Sequence, residues 1–122
     1  MEDHPTDLRT ALRTRLRDAM RARDRPAMQV LRVALSAVEN AEAVADDERT
    51  QSERWAAASH AVDVPRRQVS EEEVRALVTA ELEDRVATAA WHRDRGQGDE
   101  AATADAQAAT LRAVLGDDDA EA

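Results

Sequence analysis

LRTALRTRLRDAMRARDRPAMQVLRVALSAVENAEAV, residues 8–44, holds two helical signals with a short break between them. Leu8, Leu12, Leu16 and Met20 recur every four residues, with Ala11 and Ala19 beside them, which places one apolar stripe on a helix over residues 7–23. Asp7 is suited to cap its start. Asp24-Arg25-Pro26 interrupts the pattern. Asp24 is a fair N-cap, and Pro26 is tolerated in a first turn, where its missing N–H would have no helical partner. Ala27, Val30, Leu31, Ala34, Leu35, Val38 and Ala41 then give a 3-4 spacing that runs to about residue 44. A break this short lays the two helices side by side as an antiparallel hairpin.

A second hairpin follows further on. Ser70-Glu71-Glu72-Glu73 has the form of a capping box, and its three acids favour the positive end of a helix dipole. Val74, Leu77, Val78, Leu82, Val86, Ala89 and Ala90 build a third helix that Gly96 ends. Ala101, Ala104, Ala108, Leu111 and Leu115 line a fourth, stopped by Gly116. The expected fold is all-α: two antiparallel helical hairpins, residues 7–44 and 70–116, forming a small helical bundle within one domain over 1–116. Residues 45–69 read as a linker, with a short helix over 53–58 and an extended turn over 64–67. Residues 117–122 read as a disordered acidic tail.

Composition agrees. The chain has 122 residues, 27 of them Ala, with no Phe, Tyr or Ile and two Trp. Ala suits helices that approach closely, and strand formers are scarce, so an all-β fold is excluded. There is no Cys, which removes disulfides, thiol catalysis and thiolate metal sites. No apolar run approaches the roughly 18 residues of a membrane span, and the acidic start lacks an apolar signal core. The expected location is the cytoplasm, away from membranes. All 17 basic residues are Arg, a bias that a G+C-rich genome produces without functional selection.

Little in the sequence points to chemistry. His4, His60 and His92 lack the spacing of a helical metal site, and no Gly-rich phosphate loop or nucleophile elbow occurs. No catalytic residue, metal ligand or cofactor is therefore assigned. Trp55 and Trp91 read as packing anchors of the hairpins, with base stacking as the other reading. Charge is more informative. The chain carries −9, yet between Leu8 and Arg25 seven Arg face two acids, leaving +5 there and −14 elsewhere. Arg9, Arg13, Arg17 and Arg21 form a stripe every four residues; Arg25 and Arg32 extend it. Two readings compete. The stripe pairs internally with Glu72, Glu81, Glu83 or Asp84 of the third helix, or it is a phosphate-facing surface for nucleic acid.

The first hairpin resembles the opening of the GatB/YqeY family. Ala19-Met20-Arg21-Ala22-Arg23-Asp24 matches that family's helix ending, and Val30-Leu31-Arg32, Leu35, Ala37-Val38 and Asn40-Ala41-Glu42 match its second helix. Ser70-Glu71-Glu72-Glu73-Val74, Glu81 and Gly96 are similar to its second hairpin. The resemblance covers residues 8–115. Where the family has "GR" this chain has Gly96-Gln97, and where it has "YLP" before a small C-terminal subdomain this chain has Val114-Leu115-Gly116. The resemblance thus implies a form without that subdomain, which is shared with the B subunit of the tRNA-dependent amidotransferase, a carbon–nitrogen ligase with glutamine as amido donor. It implies a noncatalytic helical accessory module whose partner is tRNA or an amidotransferase component. The alternative expectation is a protein-interaction or self-association module, with Leu77, Leu82, Val86, Leu111 and Leu115 at the contact.

Overall fold

The computed structural model describes residues 7–47 and 69–116. They form four helices: α1 (Leu8–Ala22), α2 (Arg25–Asp47), α3 (Glu71–Asp94) and α4 (Gly98–Leu115). The architecture is all-α, with α1 packed on α2 and α3 packed on α4, the two hairpins closing into a small bundle. The second helix runs three residues past the expected end. The expected helix at 53–58, the turn at 64–67, the tail at 117–122, and Trp55, His4 and His60 lie outside the described residues.

Each helix start and stop has a local cause. Asp7 Oδ1 accepts the Thr10 amide at 2.8 Å and caps α1. At the other end Arg23 takes a left-handed conformation, φ 56°, ψ 40°. Its N–H donates to the Met20 carbonyl and that of Asp24 to the Ala19 carbonyl, the paired bonds of a Schellman ending. Asp24 serves twice, because its Oδ1 then accepts the Ala27 amide at the start of α2. The reversal therefore needs only Arg23 and Asp24. The capping box of α3 is complete: Glu73 N–H donates to Ser70 Oγ at 3.1 Å, and Ser70 N–H donates to Glu73 Oε1 at 2.7 Å. Gly96, at φ 73°, closes α3 with the same paired bonds, from Gly96 to Arg93 and from Gln97 to His92.

The core is a single cluster built on Leu8, Leu12, Leu31, Val38, Val74, Val78, Leu82 and Leu111, with alanines at the closest approaches. Three expected core positions, Met20, Val86 and Ala90, fall outside the core, for one reason. A four-residue step turns about 40° beyond a full circle, so a strict every-fourth stripe wanders off the seam. On α1 the seam passes from Leu12 to Leu16 to Ala19, and Met20 is turned out, 49 % exposed. On α3 it passes through Val78, Leu82 and Ala89, and Val86 is turned out, 44 % exposed. The intervening seam position on α3 belongs to Arg85.

Candidate nucleic-acid interface

The six arginines do not share one environment. Arg9 is the member of the stripe nearest the α1 seam. Its guanidinium forms an ion pair with Glu42 of α2, both side chains mostly covered at 17 % and 14 % exposure. The same Nη2 donates to the Val69 carbonyl at 3.4 Å, just before the cap of α3. Beside it the Leu8 N–H donates to the Glu71 carboxylate, at 3.0 Å to Oε2. A carboxylate at that point answers both the free N–H and the positive end of α1. Arg9 is thus a tie between α1, α2 and the start of α3, and it is removed from the phosphate-contact set.

The wander that buries Arg9 exposes the rest. Arg13, Arg17 and Arg21 step progressively away from the seam and are exposed, as are Arg25 and Arg32 on α2. Arg21 pairs with Asp18 one turn back, at 3.3 Å, both side chains largely in solvent. Such a pair is worth little and leaves the guanidinium accessible. Among the described residues Arg13, Arg17, Arg25 and Arg32 make no ion pair, and neither do Arg15 and Arg23. None of the six stripe arginines is paired with Glu72, Glu81, Glu83 or Asp84. The internal partner that does occur is Glu42, within the Asn40-Ala41-Glu42 run.

The apolar residues set aside for an external contact are largely consumed within the fold. Leu82, Leu111 and Leu115 are buried, and Leu77 packs half-buried against the same core. Val86 alone of the five is on the surface.

Trp91 is not a packing anchor: it is 51 % exposed near the end of α3. The Arg95 guanidinium lies over its ring, 3.8 Å from the centroid, and His92 meets it edge-on at 5.1 Å. Arg95 Nη1 also donates to the Trp91 carbonyl at 2.9 Å, so this cluster dresses the end of the helix.

Two polar residues inside the bundle escaped the sequence reading. Gln107 of α4 is 6 % exposed. It donates to the Pro26 carbonyl at 3.1 Å and accepts from Arg85 Nη1 at 3.3 Å. Arg85 in turn pairs with Asp84. The signal was present in the spacing, since Val78, Leu82, Arg85 and Ala89 fall on one helical face.

No family model, curated protein or solved structure matches this chain. Among the described residues no group of three His, Asp or Glu side chains is placed to hold a metal ion. No helix of those residues is long and apolar enough to cross a membrane.

Proposed function

We propose that this chain is a noncatalytic helical accessory module of the GatB/YqeY type, which docks on RNA through the outer face of its first hairpin. The observation that carries the reading is the state of the arginines. Arg13, Arg17 and Arg25, with Arg15 and Arg23 around them, are exposed and have no carboxylate partner among the described residues. They stand in the one stretch of net positive charge, +5 over residues 8–25, on a chain of net charge −9, so an external polyanion is attracted to this segment and repelled by the rest. A phosphate backbone supplies anions at regular spacing, and Arg engages phosphate bidentately.

The module would bind tRNA or sit beside tRNA in an amidotransferase assembly. It would contribute position and affinity, not a reacting group. The acidic remainder of the chain would restrict contact to this one face, since it repels phosphate elsewhere. The interaction-module reading is the weaker, because four of its five apolar residues are occupied within the bundle or against its core. Binding of tRNA to the intact chain, followed against salt, tests the proposal.

A further inference from the structure

A cleft of about 430 Å³ opens between α2, α3 and α4. Gln29, Arg32, Glu81, Arg85 and Gln107 form its polar walls over Val30 and Val33. A second hollow, of about 360 Å³, adjoins it and shares Arg32, Val33 and Glu81. Three features of this cleft are not accounted for by the stability of the bundle.

First, Arg32 and Glu81 line the same opening with opposite charge, yet they do not pair with each other or with any other described residue. Each therefore keeps its charge toward whatever enters the cleft. Second, Arg85 keeps its Nε–H buried without an acceptor, although its two terminal nitrogens are engaged by Asp84 and Gln107. The Nε is shut off from solvent, so Arg85 offers the cleft its part-exposed charge and not this donor. Third, the floor is apolar where the walls are charged: Val33 is 49 % exposed. The volume lies within the usual range for small-molecule sites.

We infer that this cleft binds a small zwitterion with an α-amino-acid head group. The ligand carboxylate lies against Arg32, in the cleft that Arg85 also lines. The ammonium lies against Glu81, and an apolar side chain covers Val33. Gln107 holds Arg85 in place for this. A simple anion would leave Glu81 unanswered and would be repelled by it. A simple cation would meet the unpaired Arg32. Only a ligand bearing both charges a few ångströms apart answers both walls. The inference does not depend on RNA binding by α1.

Titration of the intact chain, followed by amide chemical shifts, tests it with L-leucine as probe. Leucinamide lacks the carboxylate and N-acetyl-leucine lacks the ammonium. Saturable shifts centred on residues 29–33, 81–85 and 107 are expected with L-leucine. Each derivative is expected to bind at least about tenfold more weakly, because a site built for a polar group rejects the analogue without it. Glu81→Gln and Arg32→Ala are expected to weaken L-leucine by a similar factor without lowering the melting temperature. No saturable shift up to about 20 mM, a range that still detects the weakest specific binding, would overturn the inference. So would equal binding of either derivative, or full retention of affinity in both variants. If one variant melts early, the other and the two derivatives still decide the matter.

Discussion

Arg9 and Glu42 form an ion pair that ties the first turn of α1 to the last third of α2, and the same guanidinium reaches the Val69 carbonyl ahead of α3. The most basic helix of the chain is thereby divided: its first arginine holds the fold together, and those one to three turns on face solvent. Arg9→Ala is expected to lower stability by about 1.5–3 kcal/mol, since it strands a largely covered carboxylate. Arg13→Ala and Arg17→Ala are expected to stay within about 0.5 kcal/mol of wild type. Urea unfolding of the three variants checks the contrast, and equal losses in all three would refute it.

The turn between α1 and α2 stores strain. Arg23 occupies the left-handed region that a Schellman ending normally gives to glycine. A side chain there costs about 1–2 kcal/mol. Replacing it with glycine relieves this but returns about 0.4–1 kcal/mol of unfolded-state entropy. Arg23→Gly is therefore expected to stabilise the chain by about 0.5–1 kcal/mol, read as a rise of several degrees in melting temperature. A fall would show that the Arg23 side chain makes a compensating contact.

Much of this architecture is legible in the residues themselves. Asp7, Asp24, Ser70 with Glu73, Gly96 and Gly116 mark helix ends by chemistry that acts within a few residues of each, and each acts where expected. The seams were legible in outline only. An every-fourth reading put Met20, Val86 and Ala90 inside, whereas the true rotation of a helix brings buried Ala19 and half-buried Arg85 to the seam. The candidate site was less legible, because exposure of an arginine depends on what the neighbouring helix presents. Nothing in residues 8–25 announces that Glu42 will capture Arg9. Likewise nothing near Gln107 announces the Pro26 carbonyl, 81 positions away.

The bond between half-buried Arg85 and buried Gln107 makes a separate prediction. Gln107→Leu removes the acceptor for Arg85 Nη1 and the donor to Pro26, and should cost about 1–3 kcal/mol. Arg85→Leu/Gln107→Leu removes the stranded guanidinium as well and should recover the part of that loss due to Arg85, the Pro26 carbonyl staying without its donor. A double-mutant cycle by chemical denaturation measures the coupling; strictly additive losses would contradict it.

Acid should weaken the start of α1. The Asp7 carboxyl is held below its ordinary 3.8, chiefly by the Thr10 backbone hydrogen bond, then by a Thr10 side-chain bond and by the charges of Arg9 and Arg13. With the folded value depressed, the unfolded chain binds more protons, so the stabilisation is full above the ordinary value and is lost as pH falls through the folded one. Asp7→Asn keeps a capping oxygen but removes the titration. Its stability should fall less than that of wild type between about pH 5 and pH 2. Parallel acid profiles would show that Asp7 plays no part in the decline.

The most direct test of the RNA-docking claim is the salt dependence of tRNA binding, measured by fluorescence anisotropy on the intact chain and on Arg13→Gln/Arg17→Gln/Arg25→Gln. With three phosphates engaged, log affinity should fall against log salt with a slope of roughly −2 to −3 between about 50 and 200 mM. The triple variant should bind more weakly with a shallower slope and an unchanged melting temperature. Absence of binding at about 50 mM salt, or a triple variant with wild-type affinity and slope, would contradict the account.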